Sequence, residues 1–181
     1  MKKILTACAI AAATLVAAPA FAQGYIGAGL GSSKISGFDN GTIAGGNTSK
    51  GTAKIFGGFQ FTPNWGMEVQ YSDLGRRNLT NAGVAAGSMS TSQFGLSGTG
   101  TLPMSSGFSL LGKLGVSANR TTGAASANNT GLLIGVGVAY NFTPALSARL
   151  EYEDFGKVGT VAANGSTVRA NAYSLNLKYA F

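Results

Sequence analysis

Hydrophobic and polar residues alternate through most of the chain after residue 22, and the alternation recurs in eight separate segments. A period of two places successive side chains on opposite faces of a β-strand. The last segment, 172–181, is the clearest, and we predict a strand there. Its hydrophobic face carries Tyr173, Leu175, Leu177, Tyr179 and Phe181.

The same pattern predicts seven earlier strands, near residues 25–31, 54–61, 65–72, 93–102, 108–117, 133–142 and 146–153. Short turns containing proline join three pairs of strands, at 62–64, 103–107 and 143–145. The other four connections, 32–49, 75–91, 118–129 and 156–168, are predicted to be long loops rich in Gly, Ser, Thr, Asn and Ala. Short turns at one rim and long loops at the other are typical of bacterial transmembrane barrels.

Alternation alone does not say which face of the barrel meets water, but the distribution of charge and aromatic residues does. The polar faces carry both charge signs together with many small residues, which suits an eight-stranded lumen just wide enough to be filled by side chains. Aromatic residues lie near the predicted strand ends, as in the girdles at membrane interfaces. They are Phe61, Trp65, Phe108, Tyr140, Phe142, Tyr152, Tyr179 and Phe181. We therefore predict an all-β, eight-stranded, antiparallel, up-and-down transmembrane β-barrel.

The first 22 residues have a different pattern. Lys2 and Lys3 precede an uncharged, mostly apolar run, and the segment ends with Ala20, Phe21 and Ala22. This is the pattern of a cleaved secretory signal peptide. We predict cleavage after Ala22, so that 1–22 is the signal peptide and 23–181 is the barrel domain, exported to the outer membrane.

Composition narrows the function further. The chain has no histidine, and its one cysteine, Cys8, lies in the predicted signal peptide, so the common general base and the common metal ligands are absent from the barrel. We expect no enzyme activity, cofactor or metal. There are 13 basic and 6 acidic residues, scattered along the chain. A nucleic-acid-binding protein would be expected to cluster its basic residues in a stripe. Contact with anionic lipopolysaccharide explains the excess of positive charge without such a stripe.

Several segments resemble the OmpA-like and OmpX-like family of small outer-membrane barrels: YIGAGLG at 25–31, FGGFQFTPNWGME at 56–68, GVGVAYNF at 135–142 and EYEDFG at 151–156. The C-terminal strand resembles the family's recognition strand. The resemblance implies that Tyr173, Leu175, Leu177, Tyr179 and Phe181 form an assembly signal read by the barrel-assembly machinery, with periplasmic chaperones assisting. It also implies a monomer embedded in outer-membrane lipid. Because the chain stops where the barrel does, we expect no peptidoglycan-binding domain.

Charged residues on the predicted lumen face are the main candidate site. An ion without a partner inside a narrow membrane barrel is costly, so these groups should pair. The resemblance implies an interior salt-bridge network, which could be a static plug or a switchable gate. The predicted members are Glu68, Lys113, Arg149, Glu151, Glu153 and Lys178, with Lys54 as a further candidate.

Two further motifs could suggest ligand or metal sites, but their sequence context argues against both. Gly107, Gly112 and Lys113 match the first part of a phosphate-binding loop, but a strand surrounds them where such a loop would open a helix. Asp39, Asp73 and Asp154 could offer oxygen ligands to Ca²⁺, yet they are dispersed in the sequence. The sequence therefore favours a structural envelope protein that displays four loops. A small porin-like channel and a surface adhesin or receptor remain the alternatives.

Overall fold

The computed structural model of the protein describes residues 23–36, 43–44, 49–81, 84–123, 127–160 and 167–181. Eight long strands form the fold. They are β1 (Gln23–Ser36), β2 (Lys50–Gln60), β3 (Trp65–Asn81), β4 (Val84–Pro103), β5 (Phe108–Gly123), β6 (Ala127–Asn141), β7 (Leu146–Thr160) and β8 (Thr167–Ala180). A two-residue strand, Ile43–Ala44, pairs with the end of β3. Within these ranges no helix is long and apolar enough to cross a membrane.

Every strand is antiparallel to its neighbours in the chain, and β1 pairs with β8 to close the sheet. In that closing seam Tyr25 lies opposite Ala180, and the pairing continues to Ser36 opposite Arg169. The predicted eight-stranded antiparallel barrel is therefore confirmed. Closure leaves the sheet without an open edge. The predicted signal peptide, 1–22, and Asp39 lie outside the described residues.

The strands extend further toward the long connections than the sequence predicts. We call this end of the barrel the loop side, and the end with the three short turns the turn side. The predicted loop at 75–91 is wrong for most of its length, since β3 reaches Asn81 and β4 begins at Val84. Parts of the other three predicted loops are also strand. The residues of these extensions do not alternate regularly between hydrophobic and polar, so the sequence pattern does not mark them as strand.

Burial follows the predicted alternation, with the polar face inside. Leu175 and Leu177 on β8 are 62% and 57% exposed, whereas the neighbouring Ser174 and Asn176 are buried. On β3 Val69 and Tyr71 face outward, and the alternating residues Glu68 and Gln70 face the lumen. This is the reverse of a water-soluble barrel, where apolar side chains fill the interior. An apolar exterior around a polar interior is the arrangement of a barrel in lipid.

The two hairpins β2–β3 and β6–β7 repeat one local sequence. Each residue of the second lies 81 positions after its counterpart, as Thr62 and Thr143 show. Both threonines use Oγ1 to accept hydrogen bonds from backbone N–H groups two and three residues later. The proline that follows each threonine has no N–H to satisfy, so the sequence Phe-Thr-Pro builds the same tight turn twice.

The repeat ends in two matching β-bulges. Gly75 on β3 and Gly156 on β7 have φ values of 80° and 67°, and the strand register shifts at each of them. Each glycine N–H donates to the Oδ1 of the aspartate two residues earlier, Asp73 at 2.9 Å and Asp154 at 2.7 Å. Glycine tolerates this positive φ because it lacks a Cβ. β3 and β7 lie four strands apart, on opposite sides of the barrel.

Candidate functional site

A network of six buried charges fills the middle of the lumen. Lys113, 4% exposed, lies at its centre. Its Nζ is 2.6 Å from Glu68 Oε1, 2.7 Å from Glu151 Oε2 and 3.3 Å from Glu153 Oε1. One lysine from β5 therefore links a carboxylate on β3 to two on β7, across the width of the barrel.

Two further cations complete the network. Arg149 Nη1 is 2.9 Å from Glu68 Oε2 and 3.6 Å from Glu151 Oε1. Lys54 Nζ is 2.5 Å from Glu151 Oε2 and 2.9 Å from Glu153 Oε2. Lys54, which the sequence suggested only as an additional candidate, is thus bound to both β7 carboxylates. Three cations face three carboxylates, so the network carries no net charge.

Lys178 differs from the other predicted lumen charges. Its side chain faces the lumen and is half-buried, but it forms no ion pair with any residue in the described part of the chain. Its Nζ lies 5.0 Å from the centre of the Tyr25 ring, on the turn side of the network. The structure therefore brings five of the six predicted charges together and leaves Lys178 apart from them.

Aromatic residues support the network on its turn side. Tyr25, Phe56 and Ala180 form a small buried cluster, and Tyr25 Oη donates to Glu68 Oε2 at 3.1 Å. The Phe56 ring centre lies 5.4 Å from Lys54 Nζ, 5.7 Å from Lys113 Nζ and 5.3 Å from Arg149 Cζ. These distances suit cation–π attraction, which is stronger where water is excluded.

A second apolar cluster lies in the loop-side part of the lumen. Leu74 from β3 and Phe155 from β7 are both fully buried. The remaining members are Leu133, Ala170 and Ala172. The charged network is thus flanked by apolar side chains on two sides, and sequence reasoning missed Leu74 and Phe155. The 81-residue repeat was a signal that could have found them, because each directly precedes one of the two bulge glycines.

Lumen glycines leave the space that the long charged side chains occupy. A Cβ at Gly135 would lie 3.3 Å from both Glu153 Cγ and Lys113 Cβ. A Cβ at Gly137 would lie 3.0 Å from Glu151 Cγ. Both contacts are tighter than packed interiors tolerate without movement. Small residues on β6 are therefore part of what allows the carboxylates of β7 to reach Lys113.

The weaker candidate sites take structural roles here. Gly112 and Lys113 lie inside β5, and Lys113 binds three carboxylates. Asp73 and Asp154 each hold a bulge glycine through a hydrogen bond. In the described ranges no three His, Cys, Asp or Glu residues are grouped as metal ligands would be.

Comparison with known proteins agrees with this geometry. The sequence profile of the family described as "Outer membrane protein beta-barrel domain" matches residues 5–181. The chain belongs to this family. Family membership, together with the apolar exterior, places the protein in the outer membrane of a Gram-negative bacterium.

Individual relatives of this outer-membrane barrel include outer membrane protein A of Shigella flexneri, which is 32% identical over 200 aligned residues. The alignment covers 100% of this chain and 56% of the relative, so the chain spans little more than half the relative's length.

Solved structures share the fold. Neisserial surface protein A matches with a TM-score of 0.66 at 20% identity, covering 87% of this chain and 97% of that one. Ail, the attachment invasion locus protein of Yersinia pestis, matches with a TM-score of 0.59 at 15% identity, covering 88% and 99%. OprG of Pseudomonas aeruginosa gives 0.58 at 14% identity, covering 88% and 94%. At these identities the likeness concerns the fold of the barrel.

Proposed function

We propose that this outer-membrane barrel is a structural component of the cell envelope, with a lumen plugged by its own side chains and four loops displayed outside the cell. The observation that carries the proposal is the neutral six-charge network with its two flanking apolar clusters. Each carboxylate has at least two cationic partners within 4 Å. A hydrated ion would have to displace several of these contacts to pass.

A static plug explains the network better than a switchable gate. Lys113 binds three carboxylates on two strands, and Lys54 and Arg149 share those carboxylates with it. No single rotation of a side chain would therefore open a path. A porin-like channel for ions or small solutes remains the second candidate, because charged side chains line the lumen.

The membrane itself is the main partner, and we expect no enzyme activity, no cofactor and a monomeric state. Lipopolysaccharide is the proposed partner on the loop side, where five basic side chains point outward and are exposed. They are Lys34, Arg76, Arg120, Lys157 and Arg169. Lys157 and Arg169 lie opposite each other in the β7–β8 register, close enough to share one phosphate.

The lipopolysaccharide contact can be tested in bilayers containing either native or dephosphorylated lipopolysaccharide. We expect the phosphorylated lipid to raise the resistance of the barrel to urea. The double variant Lys157→Ser/Arg169→Ser should lose most of that gain. Equal stabilisation of the variant and the unmodified protein would rule out this contact.

An adhesin or receptor role is the third candidate. The Ail structure was solved in complex with the heparin analogue sucrose octasulfate, a polyanion. The outward-facing basic side chains of the present barrel would suit a polyanion as well as a lipid phosphate.

The outward face of β8 is the proposed assembly signal. Tyr173, Leu175, Leu177, Tyr179 and Phe181 are all exposed on one face of the strand that closes the barrel. Deleting Phe181 should lower the amount of folded barrel in the outer membrane, with Phe181→Tyr as the conservative control. Wild-type levels after the deletion would remove Phe181 from the signal.

The envelope role can be tested in a deletion strain of the producing bacterium. Complementation would use the unmodified gene and a variant in which each of the four predicted loop segments, 32–49, 75–91, 118–129 and 156–168, is replaced by a short turn. We expect leakage of periplasmic enzymes in the deletion strain, and rescue by both genes. Rescue of cell attachment by the unmodified gene alone, with no leakage in the deletion strain, would instead favour the adhesin.

A further inference from the structure

The turn-side mouth of the barrel encloses a vestibule that ends at the charged network. Its volume is about 1010 Å³. The turns at 61–63 and 142–144 form part of its rim, and its walls extend inward to Arg149 and Lys178. Among the described residues that line it, only these two are charged, and both are positive.

The positive charge of the vestibule is not neutralised by the network. Arg149 is balanced within the group of three cations and three carboxylates, but Lys178 is a seventh charge with no counterpart in the described part of the barrel. Ionisable groups held inside a membrane protein are expensive and usually have a partner. The arrangement therefore leaves one positive charge facing the turn-side opening, which in barrels with short turns at one end and long loops at the other is the periplasmic one.

Polar groups beside Lys178 are placed to assist an anion. Ser147 lies directly opposite Lys178 in the β7–β8 register and also lines the vestibule. Ser147 is only 2% exposed, and its Oγ has no hydrogen-bond partner among the described residues. Arg149 uses Nη1 for its hydrogen bond to Glu68, and a guanidinium carries five N–H donors in all.

We propose that the vestibule is a binding site for a small oxyanion that enters from the periplasm, a phosphate or a carboxylate. Lys178 supplies the charge and the Ser147 hydroxyl donates a hydrogen bond. Arg149 at the inner end adds positive electrostatic potential while it keeps its ion pair with Glu68. Charge-assisted hydrogen bonds to such groups are stronger than those between neutral groups. The volume is large enough for a small solute and its remaining water.

The test is a titration of the isotope-labelled mature barrel in a zwitterionic micelle, followed by NMR. Inorganic phosphate and acetate are added in separate experiments at constant ionic strength, with chloride as the reference anion. Ser109 also lines the vestibule. We expect saturable shifts of the amides of Ser109, Ser147 and Lys178 with at least one of the two oxyanions. Phosphate alone, acetate alone or both together would identify which oxyanion chemistry the site accepts.

Three variants make the test specific. Lys178→Gln should weaken binding at least tenfold, which is about 1.4 kcal/mol, because it removes a charge-assisted hydrogen bond. Lys178→Arg should retain it, and Lys50→Gln, which removes an exposed lysine on the loop side, should leave it unchanged. The spectrum of each variant reports directly whether the barrel is folded. Shifts that match those with chloride, or that persist in Lys178→Gln, would overturn the proposal.

Discussion

Glu68 and Arg149 hold equivalent positions in the two repeated hairpins, 81 residues apart, yet carry opposite charges. They meet in the lumen at 2.9 Å. The repeat brings the two positions toward the barrel axis from opposite strands, where identical charges would repel each other. Because the two charges are opposite, they form an ion pair that joins the two halves of the barrel.

The network depends most on Lys113, because its ammonium group contacts all three carboxylates. Replacing Lys113 by Met removes a positive charge and leaves three buried carboxylates with two cations. Breaking a buried ion pair from one side typically costs about 3–5 kcal/mol. We therefore expect Lys113→Met to lower the free energy of unfolding by about that amount, measured by urea unfolding in lipid vesicles.

The matched control for this substitution is Lys50→Met, because Lys50 is exposed and lies outside the network. Exposed substitutions usually change stability by less than about 0.5 kcal/mol. Equal stability of Lys113→Met and the unmodified protein would show that the network contributes nothing to holding the barrel together.

At the scale of elements, the two β-bulges can be tested by mutation, because each places its glycine at a positive φ. A Cβ at Gly75 would lie 2.8 Å from the Gly51 carbonyl oxygen, and one at Gly156 would lie 2.9 Å from that of Leu132. Alanine at either position adds this crowding to a left-handed backbone that costs about 1–2 kcal/mol. We expect Gly75→Ala and Gly156→Ala each to lower the urea midpoint of unfolding.

The control is Gly112→Ala on β5, where an added Cβ meets nothing within 4 Å. This variant should match or exceed the stability of the unmodified protein, since alanine restricts the unfolded chain more than glycine. If all three alanine variants behaved alike, the bulge geometry would not be what requires glycine at 75 and 156.

The sequence predicted the strands only where their two faces meet different surroundings. Leu175 and Leu177 face lipid while Asn176 between them faces the lumen, so a period of two is visible there. β3 continues to Asn81 beyond the apolar band, and the sequence from 74 to 81 does not alternate between hydrophobic and polar. Turn residues such as Pro63 and Pro144 were readable for a local reason, because they limit the backbone whatever surrounds them.

Pairing partners in the lumen could not be read in the same way. The sequence indicated that Glu68, Lys113 and Arg149 face inward, but which cation meets which carboxylate depends on the stagger of strands that are distant in sequence. Lys178 is an example. Alternation predicted that its side chain faces the lumen, but not that it lies outside the charged network. The apolar lumen residues Leu74 and Phe155 follow the same alternation as the lipid-facing ones, shifted by one position.

For the whole molecule, the surface is apolar and the interior is polar, which is the reverse of a water-soluble protein. The exterior is apolar because lipid surrounds it, and family membership and fold agree with that location. The interior is polar and closely filled, which requires small residues such as Gly135 beside long ones such as Glu153. We propose that this packing closes the lumen and leaves a vestibule at one end.

The most direct test of the closed lumen is the conductance of the folded, purified barrel in a planar lipid bilayer, recorded beside Glu68→Ala. We predict no discrete channel steps from the unmodified protein, because the charged network and its flanking apolar clusters block the path. Steady channel steps from the unmodified protein, altered in Glu68→Ala, would contradict the closed lumen and identify a pore whose gate includes Glu68.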